Sequence, residues 1–333
     1  MSHLIDQSTG RDAIAFVGEA PWHKLGHKLT SGADIETWRR EACLDYQVER
    51  TPVKFTIGDV VQQFPDRDVL YRSDTRSPIS VVSKWYNVVQ PGEILDFFAK
   101  LTAHNSFTLE TAGALDGGRR VWALARVGDG APILDVDVLR PYVLLATSYD
   151  ATLSTTAKFT SVRVVCHNTL TMSTGYGGEG QSEKDVAGGC VRIPHSAKFD
   201  PDDVRLDLGI VFDQWERFLA TNRKLARQKV NAKFTHEFLK ALLPEPTTTI
   251  AGKAPKPIEE SKAYKSIVAL FQGGAIGSDM AHVKGTAYGL LNAVTEYVDH
   301  ERGGDETRLS SAWFGSGEGM KNDAFALLEK IAA

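Results

Sequence analysis

From about Asp45 to Met172 the chain consists of β-branched and aromatic runs cut by turn residues, and one convincing helical stretch interrupts them. Beyond residue 200 the apolar residues recur at helical spacing instead. This change of period commits the chain to an α+β fold, with a largely antiparallel sheet in the N-terminal half and a helical C-terminal half. The expected organisation is a sheet-rich region over 1–172 with one early helix, a Gly-rich mobile loop over 173–199, and a helical region over 200–333 interrupted by a Pro-rich linker at 244–257.

Particular segments carry that reading. Pro91 opens a helix on which Ile94, Leu95, Phe97, Phe98 and Leu101 share helical spacing, and a proline is tolerated there because its missing N–H has no partner in the first turn. Residues 107–114 and 120–127 read as a hairpin joined through Asp116-Gly117-Gly118, where glycine supplies the positive φ of a tight turn. Residues 140–148 and 157–166 are further strand candidates. Asp200-Pro201-Asp202-Asp203 is a helix start, with a capping oxygen and carboxylates at the positive end of the dipole. Ala287, Leu290, Leu291, Val294 and Val298 predict one apolar stripe on a later helix.

At 333 residues the chain is long enough to bury a core without metal or disulfide staples. Its net charge of -4 argues against a uniformly basic nucleic-acid binder, though not against a local basic groove. Cys43, Cys166 and Cys190 lie far apart without a CxxC pair, which points to a reducing compartment. The polar start and the lack of any run near ~20 apolar residues give no reason to expect a membrane partner, so a cytoplasmic location is expected.

Several groupings invite a chemical reading. His23 and His27 stand four apart, but Pro21 and Gly26 argue for a turn over a metal-binding helix. Cys166-His167-Asn168 holds the residue types of a cysteine nucleophile set, yet strand neighbours point to opposite faces, so an inert thiol is the simpler reading. Asn292, Glu296, Asp299 and His300 crowd one helix and suggest either solvated ion pairing or part of a metal centre. No Walker lysine loop, GxGxxG, GxSxG or kinase signature is present, so no cofactor is expected.

The most pointed feature is the stretch 221–233, which carries Arg223, Lys224, Arg227, Lys229 and Lys233 and no acidic residue. Arg119 and Arg120 at the hairpin tip add cations, as do Arg72, Arg76 and Lys84 around a strand and Lys158 and Arg163 on a later one. Trp85 and Tyr149 are aromatics of the sheet region on which a base can stack.

The segments PWHKLGH (21–27), SKWYNVVQPGEILDF (83–97), GALDGGRRVWALARV (113–127), VRVVCHNTL (162–170), GTAYGLLNAVTEYVDHER (285–302) and SAWFGSGEGMKNDA (311–324) together resemble a family of uncharacterised proteins carried on phages and plasmids. That resemblance implies residence on mobile DNA in a bacterial cell, and it carries no catalytic residues. At the level of fold alone the chain is similar to RecT/Redβ/ERF-type annealing proteins, which implies binding of single-stranded DNA in recombination, and homo-oligomeric rings or filaments. On this expectation Arg223, Lys224, Arg227 and Lys229 neutralise phosphates, Arg119, Arg120 and Arg163 contribute at the sheet, and Trp85 or Tyr149 stacks a base. The competing expectations are a metal-dependent enzyme acting on nucleic acid or nucleotide, using Glu296, Asp299, His300 and His23 or His27, and a host-interaction or anti-defence protein.

Overall fold

A computed structural model describes residues 4–18, 25–102, 107–134, 137–163, 169–171, 185–187, 190–204, 212–244 and 257–332. The fold is α+β, 38% helical and 32% strand, with antiparallel sheets in the N-terminal half and helices mostly in the C-terminal half. Two compact units share the chain. One comprises 1–129, 142–159 and 176–211, the other 130–141, 160–175 and 212–333. The chain therefore passes between the units several times.

The first unit contains β1 (Ile14–Val17), β2 (His27–Leu29), α1 (Ile35–Glu41), β3 (Val48–Ile57), β4 (Val60–Arg72), β5 (Pro78–Ser83), α2 (Pro91–Thr102), β6 (Phe107–Leu115) and β7 (Arg120–Val127). It also takes in residues 142–148 of β9 (Asp137–Ser148), residues 155–159 of β10 (Thr155–Arg163), β12 (Asp185–Ala187) and β13 (Cys190–Ile193). Its larger sheet has the order β12-β13-β10-β9-β7-β6-β1-β2, in which β1 and β2 run parallel while β6 lies antiparallel to β1. The hairpin between β6 and β7 forms where the sequence places it, with Asp116, Gly117 and Gly118 all at positive φ. Helix α2 buries Ile94, Leu95, Phe97, Phe98 and Leu101, the face its spacing predicts, against β6 and β7.

A separate antiparallel sheet has the order β3-β4-β5. Strand β5 ends at Ser83, before a turn in which the Tyr86 N–H bonds to Ser83 O. Within the stretch expected as a loop, β12 and β13 pair antiparallel with Val186 opposite Val191; the other residues of 172–189 lie outside the described residues.

At the junction of these parts lies Arg72, which is fully buried and is not one of the surface cations anticipated for a groove. Its guanidinium pairs with Asp6 and Asp74 and lies 3.9 Å over the Tyr46 ring. Gly118 closes the cluster from the hairpin turn, where a Cβ would fall 2.9 Å from both an Arg72 nitrogen and the Tyr46 hydroxyl.

The second unit contains β8 (Ala131–Ile133), the remaining ends of β9 and β10, and β11 (Thr169–Thr171). Its helices are α3 (Phe212–Arg227), α4 (Ala232–Leu242), α5 (Lys262–Ala269), α6 (Ala287–Glu296), α7 (Asp305–Phe314) and α8 (Ser316–Ala332). Helix α6 is buried on every side, not along one stripe, with α3 and α8 against it. Gly289 permits the close approach of the preceding turn, since a Cβ there would stand 2.1 Å from Val283 O. Phe218 of α3 meets Phe325 of α8 at a ring separation of 5.2 Å. In the first unit, Asp200 caps the helical residues 201–204 as its sequence predicts, accepting from the Asp202 and Asp203 N–H groups. Of the Pro-rich linker at 244–257, residues 245–256 lie outside the described residues. Among the described residues no helix is long and apolar enough to cross a membrane.

Burial raises the Asp74 carboxyl, but the Arg72 hydrogen bonds and charge outweigh it and hold Asp74 below its ordinary value of 3.8. A carboxylate with a lowered folded pKa lends stability that is complete above the unfolded value and disappears as pH falls through the folded one. The urea midpoint should therefore drop as pH is lowered from about 4, the ordinary carboxylate range, and Asp74→Asn should flatten that drop. An unchanged acid profile in the variant would count against the Arg72–Asp74 pair.

Candidate functional site

Helix α3 ends, and α4 begins, in the basic run read from the sequence. Lys224 and Arg227 occupy the last turn of α3, where cations meet the negative end of the dipole. Asn231 caps α4 by accepting from the Phe234 N–H at 2.9 Å, and no carboxylate occupies that helix's first turn. Lys233 adds a charge beside this N-terminus, so the positive end of the helix is reinforced instead of neutralised.

Between the two helices, Lys229 forms an isolated antiparallel bridge with Thr286. The Val230 N–H bonds to Gly285 O at 3.0 Å, and the Ala287 N–H to Gln228 O at 2.9 Å. Lys229 Nζ donates to Lys284 O at 2.7 Å. These bonds bring Lys284, distant in sequence, to the same corner. Arg227, Lys229, Lys233 and Lys284 are all exposed, and none forms an ion pair with a carboxylate among the described residues. Arg223 is half-buried and directs Nε and Nη2 onto Pro132 O at 3.2 and 3.0 Å, fastening α3 to β8.

The other anticipated residues have different surroundings. Arg163 is buried: Nε donates to both Asp137 oxygens at 2.9 and 2.8 Å, Nη1 to Ile276 O at 3.2 Å and Nη2 to Gly277 O at 3.5 Å. A guanidinium so engaged is a structural ion-pair partner and does not reach a phosphate on the surface. Tyr149 is likewise fully buried, and burial pushes its hydroxyl well above the usual range, so its ring is not available to stack a base. Arg119 pairs with Asp116 at 3.2 Å on the surface. Arg120 donates to the Thr152 hydroxyl at 3.1 Å, and burial lowers its pKa against the opposing pull of Asp150 and Asp116. Trp85, 69% exposed just beyond β5, presents its ring to solvent.

The carboxylates of the metal-centre expectation are turned inward. Glu296 accepts from the Ile276 N–H with both oxygens, at 3.1 and 3.2 Å, and Asp299 accepts from Lys321 Nζ at 2.7 Å. Among the described residues no group of three or more His, Cys, Asp and Glu is placed to hold a metal. His27 lies on β2, with its Nε2 buried and without a hydrogen-bond partner among the described residues, while His23 and Cys166-His167-Asn168 lie outside those residues.

Sequence spacing did not single out the polar interior of the second unit. Asp137 bridges Arg163 and His282, whose Nε2 stands 3.2 Å from Oδ2, and Tyr288 lies beside the Arg163 guanidinium and the His282 ring. A cavity of about 20 Å³ lined by Ser161, Arg163, Asn222, Tyr288, Asn292 and Thr295 adjoins the cluster, enough for about one water. No local pattern links Asp137 to a histidine so distant in sequence. Asp137→Ala leaves a buried guanidinium without its counter-charge and should cost about 3–5 kcal/mol in urea unfolding. A loss within about 0.5 kcal/mol, typical of surface positions, would rule out the buried pair as a structural element.

A family model described as Domain of unknown function (DUF932) matches residues 78–322, well over half of the chain. Neither a curated protein nor a solved structure matches.

Proposed function

This chain belongs to the DUF932 family, and we propose that it binds single-stranded DNA through the cationic corner where α3 meets α4. The observation that carries the reading is the gathering of Arg227, Lys229, Lys233 and Lys284, exposed and without carboxylate partners among the described residues, in a protein of net charge -4. Clustered positive charge on a slightly anionic molecule supplies a local field for a polyanion, and counterion release from the strand then drives association.

The single-stranded preference draws on the fold-level similarity to RecT/Redβ/ERF-type proteins; Trp85 of the first unit is a separate exposed aromatic on which a base can stack. The resemblance to phage- and plasmid-borne proteins implies mobile DNA in a bacterial cell as the setting, and the analogy to annealing proteins implies annealing or recombination by an assembled protein. Arg163 and Tyr149 have no part in this reading, and Arg223 acts by holding α3 in position.

Fluorescence anisotropy with a labelled oligothymidine between 50 and 200 mM salt tests it. Wild-type affinity should fall steeply with salt. The variant Arg227→Gln/Lys233→Gln/Lys284→Gln should reduce the magnitude of the log–log slope by about 2, from about 0.7 per neutralised phosphate on a single strand. Absence of binding at 50 mM salt, or an affinity indifferent to salt, overturns the proposal.

A further inference from the structure

Strands β3 and β4 continue beyond their sheet as a two-stranded arm. Ile57 pairs with Val60 across a tight turn at Gly58-Asp59, Phe55 with Gln62 and Lys54 with Gln63. Every residue from 54 to 67 is exposed. Strand β5 pairs with β4 only from Arg67 onward, so within the sheet the arm has no third strand.

Cross-strand partners share a face, and the faces of this arm differ. Phe55, Ile57 and Val60 lie on one side, and Phe64 meets Phe55 edge-on at 6.4 Å between ring centroids. Lys54, Thr56, Val61 and Gln63 lie on the other. A two-stranded ribbon with nothing packed on it is marginally stable in water, and this one displays Ile57 at 62% and Val60 at 59% exposure.

The geometry points to a second copy of this chain as the cover, with the two arms packing apolar face to apolar face about a two-fold axis. Charge favours that occupant over a polyanion or an anionic lipid: the arm carries Lys54 and Arg67 against Asp59 and Asp66, so it neither draws phosphate nor repels its own duplicate. Area agrees. The four apolar residues expose about 400 Å² per copy, the size of the largest apolar patch on an ordinary monomer, which is often functional. Two such faces remove about 800 Å² before Gln62 and the ribbon backbone are counted, which approaches the ~1,000 Å² of a specific interface.

This inference rests on the DNA-binding reading only in giving its assembly a surface, and because self-association is measured without nucleic acid either can fail while the other holds. The experiment is sedimentation equilibrium of the full chain from 1 to 100 μM, on wild type, Ile57→Asp/Val60→Asp and Val61→Asp. All three substituted residues are exposed, so unchanged circular dichroism and thermal unfolding are expected. Wild type and Val61→Asp should dimerise alike, and the double variant should weaken the dimer by at least about 100-fold, the scale of loss at the centre of an interface. A wild type that stays monomeric at 100 μM overturns the proposal, as does a double variant that dimerises normally or a Val61→Asp effect as large as the double variant's. Flotation of monomeric wild type with phosphatidylcholine/phosphatidylglycerol vesicles, abolished by the double substitution, would assign the face to a lipid surface and equally overturn it.

Discussion

A guanidinium removed from water costs several kcal/mol unless charges and hydrogen bonds meet it, and the first unit is arranged around meeting this demand at Arg72. Asp6 comes from the N-terminal segment, Asp74 from the turn after β4, Tyr46 from the link between α1 and β3, and Gly118 from the hairpin of the large sheet. The neighbouring backbone follows, with the Asp6 N–H bonding to Ala114 O and the Asp116 N–H to Leu4 O. One buried charge thus fixes the N-terminal segment, the small sheet and the β6–β7 turn to one another. Because β4 ends at Arg72, the exposed arm projects from a strand whose far end is firmly anchored.

The second unit applies the same physics with other residues. Arg163, Asp137 and His282 form one group, Lys321 and Asp299 another, and Glu296 receives the Ile276 N–H beside them. An all-buried α6 bearing Asn292, Thr295 and Glu296 tolerates these polar groups because the Asn292 and Thr295 side chains donate to backbone carbonyls of their own helix and Glu296 accepts from a packed turn. Glu296 thereby ties α6 to the turn at Ile276, and exposed cations are left at the α3–α4 corner.

Local chemistry was legible in the amino-acid order wherever it is decided locally. The Asp116-Gly117-Gly118 turn needs positive φ, Pro91 needs a first turn, and α2 needs an apolar face; each is written within a few residues. Exposure was not. Arg163 and Arg227 look alike in the sequence, yet one is consumed by Asp137, 26 residues away, and the other has no such partner among the described residues. Tyr149 and Trp85 diverge in the same way, since burial depends on which strand lies above a ring. Lys284 stood outside every basic run, and only the Lys229–Thr286 bridge reveals where it belongs. An apolar alternation such as that around Ile57 ordinarily signals a buried strand, so an exposed arm runs against the pattern.

The weaving of the chain between its two units has a bearing on how such a protein is inherited and dissected. Because β9 and β10 each contribute to both, a gene fragment ending near residue 172 or starting near 200 encodes neither unit whole. Cutting at those junctions yields incomplete cores, and a ribosome must deliver residues 276–288 before Asp137 and Arg163 acquire their partners. Neither unit can therefore be cut from the chain at a single point.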